Sequence, residues 1–225
     1  MTTTCDALLG KLAGLLAEAA EWRLLGLLFA CPRGDWHEQL IALAAEVRDD
    51  RLQQAARTAA EEGQEDVYHT TFGPGGPAAP REVSHRPSAL SGQYLAELLA
   101  FYKAFAYNPP RDEPPDHVAA EIDFVAYLRL KQAYAHVCGD EANAALTAEA
   151  AGRFINDHLA TLAAPLAQNL QASGIHYLSL AAQSLLRRVG PHDAEPAAPT
   201  RKTESATYHA LPICDSDDCC GDVFD

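Results

Sequence analysis

The stretch Leu99–Tyr127, LAFYKAFAYNPPRDEPPDHVAAEIDFVAY, holds two amphipathic helical patterns separated by a proline-rich turn. Its first half places Phe101, Tyr102 and Phe105 on one side of a helix, a continuation of Tyr94 and Leu98. Its second half repeats the pattern with Val118, Ile122 and Val125, and Leu128 extends that stripe. Between them Pro114 and Pro115 force an extended entry, because the residue before a proline avoids the helical region. Asp116 then stands where a helix N-cap is expected, its carboxylate suited to the orphan N–H groups and the positive end of the dipole. His117 follows in the first turn, with Glu121 and Asp123 further along. This concentration of fixed polar groups at a helix mouth marks the turn as the candidate binding site.

Outward from this stretch the same chemistry recurs. Alanine and leucine dominate, β-branched residues are sparse, and Gly and Pro collect in a few places, so an all-α helical bundle is expected. Leu8, Leu12, Leu15 and Leu16, then Trp22, Leu25 and Phe29, mark a first helix that Cys31-Pro32-Arg33-Gly34 stops. Further helices are expected over residues 35–47 (capped by Asp35), 50–62, 88–106, 141–157, 158–173 and 174–189. Gly139, Pro165 and Gly174 stand as breaks or kinks. Tyr68 to Phe72 is a short helical turn leading into an irregular segment from Gly73 to Pro87. A loop of that length inside a packed domain is more often functional than idle, and it carries Pro80, Glu82 and His85. From residue 191 onward proline and small polar residues take over, which divides the chain into a helical domain (1–190) and a flexible, acidic, cysteine-containing tail (191–225).

The 225-residue chain carries 17 basic against 31 acidic residues, a formal charge of −14. A phosphate backbone or an anionic membrane surface requires a basic patch, so nucleic acid and membranes are not the expected partners. The charge either suits a cationic, amphipathic peptide, which it would steer over a range set by salt, or serves solubility alone. The apolar run from Leu8 to Ala30 is interrupted by Lys11, Glu18, Glu21 and Arg23, so it is neither a signal-peptide core nor a membrane span, and a cytoplasmic protein is expected. There the six cysteines would be thiols or metal ligands rather than disulfides. Cys5, Cys31 and Cys138 read as small buried hydrophobes. Cys214, Cys219 and Cys220, with His209 nearby, form a weak metal motif whose spacing departs from paired knuckles. They support an alternative reading as a metal- or redox-responsive protein. Gly73-Pro74-Gly75-Gly76 lacks the lysine and hydroxyl of a phosphate loop. An Asp–His hydrolase would need Ser84 or Ser88 as nucleophile without any nucleophile motif. No cofactor and no catalytic residue are assigned, and the protein is expected not to be an enzyme.

Residues Phe101-Tyr102-Lys103-Ala104-Phe105, Pro115-Asp116-His117 and Glu121-Ile122-Asp123-Phe124 resemble the signature of the TorD/DmsD/NarJ family of redox-enzyme maturation chaperones. Tyr68, Phe72-Gly73-Pro74 and Pro80-Arg81-Glu82 are similar to two further segments of that family, as is Arg23 to Phe29 followed by Pro32. Two positions depart from it: Val83 stands where a serine is usual, and Ala106 where a glycine often ends the aromatic helix. The resemblance implies an all-helical cytoplasmic chaperone, monomeric or dimeric. It would bind the apo catalytic subunit of a molybdopterin oxidoreductase of the dimethyl-sulfoxide-reductase superfamily, often through its twin-arginine signal peptide, and delay export until the cofactor is inserted. It places client binding at the Asp–His turn. Combined with the apolar and acidic residues around it, the expected contact set is Asp116, His117, Pro115, Glu82, Pro80, Tyr68, Phe72, Tyr94 and Glu121: a greasy groove rimmed by carboxylates.

Overall fold

Helix α6 (Val118–Val137) is buried along most of its length and packs chiefly against the first helix and the helix that follows it. The structure, a computed structural model, describes residues 2–109 and 113–190. In chain order these form α1 (Thr2–Phe29), α2 (Trp36–Glu46), α3 (Asp50–Glu62), α4 (Glu65–Phe72), two short 3₁₀ turns (Glu82–His85 and Ser88–Leu90), α5 (Ser91–Ala104), α6, α7 (Glu141–Phe154), a π-helical turn (Ile155–Leu159), α8 (Ala160–Ser173) and α9 (His176–Val189). The fold is all-α. An isolated antiparallel bridge between Arg81 and His117 is the extended pairing among the described residues, and no helix there is long and apolar enough to cross a membrane. The helices belong to a unit spanning Met1–His192. The expected tail, with His209, Cys214, Cys219 and Cys220, lies outside the described residues.

Helices α1 and α6 run antiparallel, as the contacts Arg23–Asp123, Glu18–Arg129 (3.1 Å) and Lys11–His136 (3.5 Å) record. Gly26 sits at their crossing, where a Cβ would collide with the Asp123 carboxylate. The buried face of α1 (Leu24, Leu25, Leu28, Phe29) meets Val118, Ile122, Val125 and Leu128 of α6 in one apolar core. Within it Phe124 is the hub of an aromatic cluster, 4.7 Å from Phe154, 4.8 Å from Tyr102 and 5.1 Å from Tyr107 by ring centroid. Such aromatic pairs add about 0.5–1.5 kcal/mol each beyond the area they bury.

Two local expectations are corrected. The chain does not break at His158: α7 runs into α8 through the π turn, which stacks His158 on Phe154 at 4.7 Å. Pro165 is carried inside α8, within the helix expected over 158–173. Of the cysteines expected in the core, Cys138 is exposed and Cys31 only half-buried.

The aromatic helix α5 ends in a Schellman motif, Tyr107 N–H donating to the Tyr102 carbonyl (2.8 Å) and Ala106 N–H to that of Lys103 (3.1 Å). The motif requires a left-handed residue, and Ala106 supplies it at φ +54°, a conformation no other non-glycine adopts among the described residues. An L-residue there costs about 1–2 kcal/mol, which glycine avoids at some cost in unfolded-chain entropy. Ala106→Gly should therefore raise the unfolding free energy by about 1 kcal/mol in urea titrations; a loss of stability would contradict this account of the helix end.

Candidate functional site

The loop after α4 turns back because Gly75 adopts φ +81° and because Gly76 passes so close to the Thr70 and Thr71 carbonyls that a Cβ would not fit. Buried Ala78 then donates its N–H to Thr71 O (3.3 Å), closing the turn on the end of α4. The chain next runs beside the entry to α6 and is stitched to it twice, by Val118 N–H to Pro80 O and Glu82 N–H to Asp116 O, both 2.9 Å. The long loop and the proline turn, read separately in the sequence, are thus one structural unit.

Asp116, His117, Glu82 and Glu121 are 0, 1, 1 and 0 % exposed, which overturns the expectation of carboxylates rimming an open groove. Nor does Asp116 cap the helix. Its carboxylate accepts from Arg81 (Nε 3.0 Å, NH2 2.9 Å) and, at 3.4 Å, from the Val83 N–H. The cap of α6 is His117, whose Nδ1 accepts from Ala119 N–H at 3.2 Å. With Nδ1 accepting, the proton sits on Nε2. It is donated to the Tyr68 oxygen (3.1 Å), and Tyr68 O–H in turn donates to Glu113 Oε1 (2.6 Å). Burial lowers the His117 pKa against the opposing pull of Glu113 and Asp116, so the imidazole is held neutral. Burial likewise drives the Tyr68 phenol well above its ordinary range.

This relay ends at the wall of a hollow of about 460 Å³. Of the expected contact residues, Tyr68, Phe72, Pro80 and His117 line it; Asp116, Pro115, Glu82, Glu121 and Tyr94 do not. Pro115 is half-buried, and its carbonyl accepts from Tyr102 O–H (2.8 Å). Tyr94 lies under the Arg86 guanidinium, 4.3 Å from the ring centre. The sequence reading missed Glu113, Arg81, Arg33, His69 and Cys31, all of which border the hollow. Glu113, Arg81 and His69 were within reach of that reading, since they sit in the proline turn or adjoin Pro80 and Tyr68; Arg33 and Cys31 come from the end of α1 and the turn after it.

Behind the turn lies a second polar cluster. Glu82 accepts from Arg86 Nε (2.6 Å) and pairs with His158 Nδ1 (3.0 Å). Burial pushes its pKa up, but His158 and Arg86 outweigh that and hold it ionised. Glu121 has no donor for either carboxylate oxygen. Burial first, then the charges of Glu82 and Asp116, raise its pKa well above the ordinary range, so it is held as a neutral acid. A group that holds its proton more tightly when folded contributes fully below its unfolded-state value of 4.5 and loses that contribution as pH rises toward the folded-state value. Glu121→Gln, which keeps a donor and cannot ionise, should therefore gain on the wild type from about pH 5 to about pH 8. The gain is at most about 1.4 kcal/mol per pH unit, read by urea unfolding. A difference that stays constant across that range would show Glu121 to be ionised in the folded protein.

Residues 41–168 match the family model described as nitrate reductase delta subunit. No curated protein matches the chain. The matched span covers more than half the sequence and includes the loop, the proline turn, the π turn and all of the relay. The chain belongs to the nitrate reductase delta subunit family, a member of the TorD/DmsD/NarJ group of non-catalytic chaperones that bind the catalytic subunit of molybdenum enzymes during maturation.

Proposed function

We propose that the hollow beside His117 seats a segment of the client, the apo catalytic subunit of a molybdenum oxidoreductase, and that the protein works in the cytoplasm without turnover chemistry. The observation that carries this reading is the placement of Glu113. It is a half-buried carboxylate at the end of a fixed hydrogen-bond relay, facing a cavity whose other walls include Phe72, Pro74, Ala78, Pro80 and Pro114. The two arginines of that wall are already paired, Arg81 with Asp116 and Arg33 with Glu65. Among the described residues the basic side chain within 4 Å of Glu113 is His117 at 3.8 Å, which burial keeps neutral; Arg33 acts on Glu113 only at longer range. An incoming guanidinium therefore meets a carboxylate whose position is set and which no arginine or lysine of the described residues bridges, as a twin-arginine leader with a basic start and an apolar stretch requires.

Size narrows the occupant. Some 460 Å³ lies within the range of ordinary ligand pockets of about 300–1,000 Å³, enough for one or two side chains and far too little for a helix. The body of the client would rest elsewhere. A hydrolytic role is disfavoured by the same geometry: Ser84 lines the hollow, but both ring nitrogens of His117 are engaged by Ala119 and Tyr68, leaving no base for it. Binding works by differential affinity, favouring the unfilled client over the mature one. The helical unit carries this function, and the chain beyond residue 190 is dispensable for it.

The test is the affinity of the full-length protein for a fluorescent twin-arginine leader of a molybdenum oxidoreductase from the same organism. Glu113→Gln should weaken binding about 10- to 100-fold, the loss of a hydrogen bond to a charged group. Tyr68→Phe should weaken it less, and added salt should weaken the wild type more than the Glu113 variant. Unchanged affinity in Glu113→Gln would remove the hollow from leader recognition. Loss of binding on truncation after Gly190 would move the function to the tail.

A further inference from the structure

Three metal-ligating side chains converge beside the hollow. Cys31 follows the end of α1, and Glu65 and His69 lie one turn apart on the same face of α4. The Cys31 Sγ, a Glu65 carboxylate oxygen and an imidazole nitrogen of His69 all lie within 4.8 Å of one another. A cationic group already occupies the point on which two of them are aimed. The Arg33 guanidinium donates to Glu65 Oε1 at 2.8 Å and to His69 Nε2 at 2.9 Å. Nε2 therefore presents a lone pair, and the carboxylate is held below its ordinary pKa by the hydrogen bond from Arg33. Arg33, Glu65 and His69 are all exposed, so no buried contact fixes this arrangement.

We infer that Cys31, Glu65 and His69 form a site for a divalent transition-metal ion of the Zn²⁺ type, and that the ion and the Arg33 guanidinium compete for it. Thiolate, imidazole and carboxylate together are a borderline donor set that suits Zn²⁺ and excludes Mg²⁺ and Ca²⁺, which take oxygen ligands. Tetrahedral ligation at bond lengths of about 2.0–2.3 Å sets donor atoms about 3.5 Å apart. The three side chains would have to close by about an ångström, within reach of a half-buried and two exposed groups. Binding exchanges the Sγ proton for the ion, the proton passing to solvent. Cys31 and His69 both line the hollow, so an ion held there borders it, with water completing its coordination. The site does not depend on the client reading, and a titration without any client keeps the two apart.

The experiment is titration of the full-length, tag-free protein with Co²⁺, followed by the thiolate-to-cobalt charge-transfer band and by displacement with Zn²⁺. One equivalent should develop the band, and Cys31→Ser should abolish it. His69→Ala should weaken binding by at least about tenfold, the lower end of what even outer-sphere changes cost a metal site. Arg33→Ala should bind more tightly than the wild type. Absence of the band in the wild type, or its survival in Cys31→Ser, where it would report thiols elsewhere in the chain, overturns the site. An Arg33→Ala variant that binds no better overturns the competition.

Discussion

The Asp116 carboxylate holds the functional corner together. Fully buried, it faces Arg81 across the loop and the Val83 N–H beyond it, while its own backbone carbonyl receives the Glu82 N–H. A buried carboxylate without such partners would cost several kcal/mol, so the loop from Gly73 to Pro87 cannot detach from the α6 entry without exposing or orphaning it. The pairing is no large source of net stability, since desolvation offsets much of the attraction. What it contributes is position. With Asp116 fixed, His117 is placed to cap α6, its Nε2 proton is directed at Tyr68, and Tyr68 is directed at Glu113.

The acidity of the chain divides accordingly into two populations. Asp116, Glu82 and Glu121 are buried and spent on internal structure, Glu121 as a neutral acid. They shape the corner and cannot steer a partner. Steering falls to the carboxylates that keep contact with solvent, and at the hollow that means Glu113, supported by the net charge of −14. Catalysis and client capture would make opposite demands on His117: a base needs a free lone pair, whereas a positioning residue needs both nitrogens engaged. The ring is of the second kind.

Much of the fold was legible in the sequence because it is written in short-range periodicity. The stripe Val118, Ile122, Val125, Leu128 is buried as its spacing requires, and α3 spans the residues expected of it. The weaker readings are those that depended on long-range partners. Asp116 looked like a helix cap because its ion-pair partner lies 35 residues upstream, and Glu82 looked like an exposed loop residue because His158 is 76 residues away. The π turn that brings His158 there has no signature in a window of alanine and leucine. One departure from the family pattern did carry information. Ala106, standing where a glycine is common, is the residue forced into the left-handed conformation.

The account stands or falls on whether the corner built on Asp116 is where a client rests. Hydrogen–deuterium exchange of the full-length protein, with and without a saturating leader peptide, reads this directly. Slower exchange concentrated at the amides of residues 73–81 and 113–119, with α9 unchanged, is the predicted result. Protection absent there and found instead along the exposed apolar side chains Leu130, Tyr134 and Val137 of α6 would contradict it.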